Sequence, residues 1–407
     1  MKIIYIHQYF KTYTEGGSSR SYYLAKALVD SGLQVEMITS HNQKKYVCKT
    51  VSGIRVHYLP VYYDNKLGFA GRTYAFLRFA WQAYRLARKI GDADLCYATS
   101  TPLTVGITAL LLKWRKNIPF YFEVRDLWPL APIQMGTIRN RWLQKTLFAL
   151  ERKIYGEADT IVALSPGIAE YIENQRLGKE IHVLPNISDC VFFQNEAKNP
   201  LLAEKYGVSG KFTVTYFGAV GKANHVQSLL EIARQAQADK LSQLTFLVVG
   251  QGNEWTGVQQ LARQYGLKNL RLIPHLDKYQ LREVLNVTDA VYVSFARKKV
   301  LETSSPNKFF DALAAGKLCI TNTGGWIAEL VETENCGFYA DPEQPGEFLR
   351  RLAPYLSNPA ALAQARQNAR KLAETRFSRV WLTGTFARLL QGKTVAPTAC
   401  EAASVEI

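Results

Sequence analysis

The sequence predicts an α/β protein of two doubly wound, Rossmann-like units in tandem, facing each other across a cleft. Three observations carry this. Strand-like apolar runs alternate with helix-period segments from the first residues onward, the alternation restarts after residue 210, and strand signals lapse over 185–200, where polar residues cluster.

The elements follow in order. Apolar runs over 3–6 and 35–39 enclose a helix over about 18–31, a βαβ opening that requires a parallel sheet. Further strands are expected over 94–98, 120–123 and 160–164. In the second half strands are expected over 212–217, 244–249, 270–273, 290–293 and 318–321, with helices beginning near Val226, Thr256, Asp277, Pro306 and Trp326. The expected domains are 1–190 and 191–378, with a helix over 379–393 returning to the first unit and a frayed tail over 394–407, where the residues turn small and polar. Ligands of such sheets bind outside the carboxyl ends of the strands, which places the expected site in the cleft.

Composition narrows the partners. A 407-residue chain with 47% hydrophobic and 21% charged residues is globular and large enough for two cores. No signal peptide is expected at Met1-Lys2-Ile3-Ile4, and the longest charge-free span, 95–112, reads as strand, polar break and helix. Cys48, Cys96, Cys190, Cys319, Cys336 and Cys400 show no metal-ligand or CxxC spacing, so a reducing cytoplasm is expected. Net charge is +16, of which the first 195 residues carry +10, and this favours anionic partners. The segment 66–89 holds six basic residues, six aromatics and no acid. Arg78, Arg85 and Arg88 with Phe76, Phe79, Trp81 and Tyr84 suit an interfacial helix on an anionic membrane; the alternative is a helix packed inward on its aromatics with solvated charges. No nucleic-acid-binding signature accompanies the charge, and no nucleic-acid partner is expected.

Four stretches point to chemistry. "LETSSPNKFFDALAAGK" (301–317) gives Ser304 and Ser305 as caps and Pro306 as an early position of an amphipathic helix, with Lys308 about one turn in, Asp311 beyond it and Gly316 as the stop. A helix start with a lysine suits a phosphate, and a carboxylate beside it suits ribose hydroxyls; an ordinary capped helix is the alternative. Between the first strand and its helix, Gly16 and Gly17 let backbone approach a ligand without the GxGxxG spacing of a dinucleotide site. After two second-half strands come "YFGAVGKANH" (216–225), with Gly221 and Lys222, and "VGQG" (249–252), with Gly250. Lys222, Lys308 and a helix dipole together can neutralise a diphosphate without a metal, and no DxD motif demands one. "FEVRDLWP" (122–129) puts Glu123, Arg125 and Asp126 at a carboxyl edge, where a carboxylate orients or deprotonates an acceptor hydroxyl, or forms a salt bridge with a neighbour.

Together these stretches, with "ALSPG" (163–167) and "VLPN" (183–186), resemble the family-4 retaining, nucleotide-sugar-dependent glycosyltransferases of GT-B fold. "EVRDLWP", "SPNKFFDALAAGK" and "GGWIAELVE" are similar to the WbuB-like branch of bacterial surface-polysaccharide enzymes. The resemblance implies that Asp311 stands for the second Glu of the family's Glu-x7-Glu motif, which binds the nucleotide ribose. The first Glu falls on Thr303, with Glu302 one residue out of register, and the usual phosphate-binding Arg and Lys fall on Ala219 and Asn224. Lys222 and Lys308 are assigned their charge.

The function so implied is transfer of a sugar from a nucleotide donor, UDP-linked, to a lipid-linked or glycan acceptor in bacterial polysaccharide or lipopolysaccharide biosynthesis. It would be metal-independent, cytoplasmic, and peripheral on the inner face of the cytoplasmic membrane. Asp126, Glu302 and Lys308 are the expected catalytic residues, and Gly16, Gly17, Gly221, Lys222, Gly250, Ser304, Ser305, Asn307, Lys308 and Asp311 the donor-binding ones. A nucleotide-sugar epimerase of similar fold, or a non-catalytic basic scaffold binding membrane or nucleic acid, remain the alternatives.

Overall fold

The structure, a computed structural model, describes residues 1–13, 19–64 and 67–392. Gly16, Gly17, Lys66 and the expected tail over 394–407 lie outside the described residues. The chain forms two compact units: unit 1 gathers 1–185, 303–305 and the chain from Val380, and unit 2 gathers 186–302 and 306–379.

In unit 1 the order is β1 (Lys2–Ile6), α1 (Arg20–Asp30), β2 (Gln34–His41), β3 (Val47–Val51), β4 (Ile54–Pro60), α2 (Phe69–Ile90), β5 (Leu95–Thr99), α3 (Val105–Lys116), β6 (Phe120–Val124), α4 (Leu130–Gln134), α5 (Arg141–Glu157), β7 (Thr160–Ala163), α6 (Pro166–Glu173) and β8 (Ile181–Val183). The sheet runs β3-β4-β2-β1-β5-β6-β7-β8. Every pairing is parallel except β3 with β4, a hairpin closed by Ser52 and Gly53, both at positive φ. A two-residue turn of that kind matches the strand twist. The Ser-Gly pair was its only sequence signal, because β3 is too exposed to show a strand's apolar run.

Unit 2 continues with α7 (Pro200–Lys205), β9 (Phe212–Ala219), α8 (Gln227–Ala238), β10 (Leu244–Gln251), α9 (Trp255–Gln264), β11 (Leu270–Ile273), α10 (Lys278–Val287), β12 (Ala290–Val293), α11 (Asn307–Ala314), β13 (Leu318–Thr321), α12 (Trp326–Thr333), β14 (Gly337–Tyr339), α13 (Pro345–Ser357) and α14 (Pro359–Arg376). Its six strands, β11-β10-β9-β12-β13-β14, are all parallel. The inner strands β10, β12 and β13 are buried on both faces, as a sheet covered by helices requires, while the edge strand β11 is partly exposed. Asp277 opens α10 with a capping box to Gln280, the start read from the sequence. The polar stretch after Asn186 is pinned down: Ser188 Oγ donates to Phe310 O at 2.9 Å, and Arg370 donates to Phe193 O at 2.7 Å and Cys190 O at 3.0 Å. The last helix, α15 (Arg379–Leu390), groups with unit 1 from Val380 on, with Phe386 edge-on to Tyr97 at 4.8 Å.

Two sequence readings need correction. In α2, Phe79 and Tyr84 face the core, and Phe76 is half-buried, stacked on Tyr63 and edge-on to Trp128. The outward apolar residues are Phe69, Tyr74, Leu77 and Trp81. Glu123 does not face a ligand-accessible edge: it is sealed in the core, where Arg20 of α1 donates to its Oε1 at 2.8 Å. Arg20 also donates to Pro185 O and, at 2.9 Å, to Leu184 O, tying α1 to the end of unit 1. A buried charge without its partner is costly, so Arg20→Ala should destabilise unit 1 by about 3–5 kcal/mol in urea unfolding. A loss under about 1 kcal/mol would show the pair to be dispensable.

Candidate functional site

The parallel strands of unit 2 deliver β9, β10 and β12 to one carboxyl edge, and glycine lets that edge close. Gly218 and Gly250 are register partners at the ends of β9 and β10, and a Cβ on Gly250 would sit 2.0 Å from Gly218 O. The glycine at 250 therefore has a packing reason of its own. Gly218, at φ +125°, faces Lys308: a Cβ there would meet Lys308 Cε at 3.5 Å and Nζ at 3.7 Å.

Side chains tie the neighbouring loops together. The turn Lys222–Asn224 after β9 is tied to the loop after β12 by Ser294 Oγ donating to Asn224 O at 2.7 Å and Ala296 N donating to Ala223 O at 2.8 Å. Asn322, buried just past β13, accepts from Phe295 N at 2.8 Å and donates to Phe295 O at 3.1 Å.

α11 begins at Asn307 with Pro306 at its N-cap in extended conformation. The sequence reading gave Ser304 and Ser305 the cap. Pro306 disfavours a helical Ser305 and offers no side-chain acceptor, so no side chain caps α11 from the N-cap position. Ser304 and Ser305 group with unit 1, Asn307 is exposed, and Lys308 turns inward.

Lys308 is the unusual group. Its Nζ is buried, lies 3.9 Å from the Tyr216 ring centroid and 6.0 Å from that of Phe295, and has no hydrogen-bond partner among the described residues. Burial pushes its pKa down to about 7. An aromatic face attracts a cation but gives a buried ammonium no hydrogen-bond acceptor. One turn on, half-buried Asp311 has its pKa pushed up to about 7 by burial, which outweighs the pull of Lys278, while Asp189 pushes it the same way as burial. Neither neighbour was foreseen. Lys222 is exposed on its turn beside Gly221. Glu302 is half-buried; Lys299 Nζ donates to its Oε2 at 2.8 Å, and its backbone packs against Gly325, where a Cβ would lie 2.7 Å from Glu302 O.

In unit 1, Asp126 follows β6 and is exposed by accessible area, although the atoms crowding its carboxyl push its pKa up to about 6 against the pull of Arg125. Arg125 donates to His7 Nε2 at 3.3 Å. Burial, aided by Arg125, holds His7 well below the usual imidazole range, so the ring is neutral. An arginine only donates, so Nε2 accepts and the proton sits on Nδ1, which has no partner among the described residues.

The residues the sequence reading missed, Tyr216, Gly218, Phe295 and Asn322, act through packing across strands. Tyr216 and Gly218 stand in a stretch the sequence already marked; nothing local marks Asn322.

Comparison with known proteins gives the same picture. Residues 15–187 match the family model described as "Glycosyl transferase 4-like domain" and 200–372 the one described as "Glycosyl transferases group 1". The chain is 22% identical over 191 residues to the putative colanic acid biosynthesis glycosyl transferase WcaI of Escherichia coli (strain K12); the match spans 46% of each protein, a little under half of that relative's length. Among solved structures, sucrose-phosphate synthase from Thermosynechococcus elongatus aligns with a TM-score of 0.75 at 16% identity over 96% of this chain and 98% of that one. Anabaena Alr3699/HepE in complex with UDP aligns at 0.68 and 16% identity, covering 96% of this chain and 100% of that one. WaaG, a glycosyltransferase involved in lipopolysaccharide biosynthesis, aligns at 0.70 and 15% identity over the same shares.

The Lys308 pKa sets a pH signature. The folded, ligand-free protein binds this proton more weakly than the unfolded chain, so the ammonium costs stability below about pH 7, and the cost fades as pH climbs toward 10.5. Lys308→Met should raise the melting temperature of ligand-free protein at pH 7, and the advantage should shrink steadily up to pH 10. A variant less stable than wild type at pH 7 would mean that the ammonium has a partner in the folded protein.

Proposed function

On the premise that the chain belongs to the family-4 glycosyltransferases of GT-B fold, we propose that it moves a sugar from a UDP-linked donor to a lipid-linked acceptor in bacterial surface-polysaccharide assembly. The work is placed in the cytoplasm, at the inner face of the cytoplasmic membrane, and the WbuB-like branch belongs to the same proposal. The observation that carries it is the buried, unpartnered ammonium of Lys308 between the end of β9 and the start of α11. A diphosphate supplies the missing acceptor, and first-turn N–H groups of α11 add to it. The UDP and UDP-glucose complexes of HepE support the donor class, and the roles of WaaG in lipopolysaccharide biosynthesis and of WcaI in colanic acid biosynthesis support the pathway class.

In this reading Asp311 accepts from the ribose hydroxyls and Glu302 from the sugar. Gly221, Lys222, Gly250 and Asn307 of unit 2 line the donor. The acceptor oxygen bonds to the anomeric carbon as the carbon–phosphate oxygen bond breaks on the same face. Its proton passes to the leaving diphosphate, so configuration is retained without a protein nucleophile. Lys308 and Lys222 counter the charge that grows on the diphosphate, a stabilisation largest in the transition state. Asp126, ionised at neutral pH, orients the acceptor hydroxyl.

Acceptor-dependent release of UDP separates this from an epimerase or a scaffold, and it should persist in EDTA. Loss of rate in chelator, restored by magnesium or manganese, would refute the metal-independent part. Asp311→Ala should raise the Kd for the donor about 10–150-fold, as loss of a charged acceptor costs about 1.5–3 kcal/mol. Unchanged affinity in calorimetry would remove Asp311 from the site.

A further inference from the structure

Three helices of unit 1 lie side by side. Thr108 Oγ1 of α3 donates to Ala80 O of α2 at 3.0 Å, and a Cβ on Gly106 of α3 would fall 2.5 Å from Ile154 Cδ1 of α5. Their outer faces share two properties. They expose large apolar side chains: Tyr74 at 64% and Trp81 at 58% on α2 with Phe69 and Leu77, Trp114 on α3, and Trp142 at 79% on α5. They also carry exposed cations without exposed free acids. α2 and α3 contain no acidic residue, and of the two on α5 Glu151 is buried while Glu157 accepts from Lys153 at 2.8 Å. Arg78, Arg85, Arg88 and Lys89 of α2, Arg115 and Lys116 of α3, and Arg141 and Lys145 of α5 are exposed.

The same pattern extends past α2. From Leu127 to Leu150 there is no acid, and α4 buries none of its residues, leaving Leu130, Ile133 and Met135 half-exposed ahead of Trp142. Lys145 Nζ stands 5.3 Å from the Trp142 ring centroid, and Lys153 Nζ 5.4 Å from that of Trp114, so these two exposed tryptophans carry cations beside them. No described helix is long and apolar enough to cross a membrane.

We infer that the outer faces of α2, α3 and the α4–α5 segment form a docking surface for an anionic lipid bilayer. The inference rests on the proposed lipid-linked acceptor for its purpose, not for its evidence. The exposed cations complement the anionic leaflet. Tryptophan, leucine and phenylalanine beside them suit insertion among headgroups, and aliphatic side chains such as Leu77, Leu130 and Ile133 offer no stacking face to a nucleic-acid base. The surface differs from the sequence expectation: Phe79 and Tyr84 take no part, and Trp142 and the α4 shoulder join it.

The test is sedimentation of the full chain with vesicles of equal parts phosphatidylglycerol and phosphatidylcholine, and with phosphatidylcholine alone, from low to high salt. Wild type should bind the anionic vesicles, more weakly as salt rises, with a salt-resistant remainder. Arg78, Arg85 and Arg88 changed together to Gln should lower partitioning at least tenfold at low salt. Trp81→Ala with Trp142→Ala should remove the salt-resistant remainder, and bilayer lipids brominated on the chain should quench wild-type tryptophan fluorescence more than that of the tryptophan variant. Both variants should keep the wild-type thermal shift with UDP, which shows that they fold. Equal vesicle binding by wild type and variants, or binding only to nucleic acid or acidic protein, would overturn the docking surface. Vesicle binding that fails while UDP binding stands leaves the donor site intact; the converse leaves the surface intact.

Discussion

A parallel sheet cannot be closed by hairpins: each strand must be returned by a crossover, so βα loops and helix starts collect along one edge. Unit 2 obeys this constraint through all six strands, and its chemistry follows. β9 and β10 end in facing glycines, β12 feeds the loop pinned by Asn322, and α11 starts beside them without a side-chain cap. Lys308 is delivered to a place on that edge where its Nζ meets an aromatic face and a glycine and, among the described residues, no hydrogen-bond acceptor.

Such an arrangement is unfavourable by itself. A buried ammonium without an acceptor destabilises the fold, and so does a half-buried carboxylate; near neutral pH both Lys308 and Asp311 sit close to the pH at which they change charge. Their environments move the two pKa values toward each other, one down and one up. A ligand that brings a diphosphate to the first and hydroxyl donors to the second relieves both, so that stability lost in the free protein returns as binding energy. The contrast with the core of unit 1 is instructive. There Arg20 and Glu123 are equally buried, but each is the other's partner, and the pair closes a structural join. Burial alone does not mark a functional charge, and neither does burial without a partner, which Lys317 just before β13 shares; what sets Lys308 apart is its place at the carboxyl edge of the sheet.

The fold was legible wherever burial made strands continuous and apolar. The expected strands over 270–273, 290–293 and 318–321 coincide with β11, β12 and β13, and the other expected strands differ by a residue or two at their ends. β3, β8 and β14 were not legible, because exposed or very short strands leave no apolar run to read, and in β4 Arg55 and His57 interrupt the apolar residues although most of the strand is buried. Lys308 and Asp311 were visible because a helix start with a proline and a lysine is a local pattern. Tyr216, Asn322 and Lys278 were not visible as partners, since their roles depend on which strands and helices the topology brings together. The same limit explains α2: composition showed six aromatics and six cations, but only packing against α3 and the sheet decides which aromatics point outward.

The central claim is that Lys308 is held without an acceptor until a diphosphate arrives. Proton uptake on UDP binding, measured by calorimetry at pH 8 in buffers of different ionisation enthalpy, tests it most directly. With a free-state pKa of about 7 the amine is mostly neutral at pH 8, whereas the terminal phosphate of UDP is already ionised. Wild type should take up close to one proton per UDP bound, and Lys308→Met should take up none. Equal uptake by the two proteins, or none by wild type, would contradict the account.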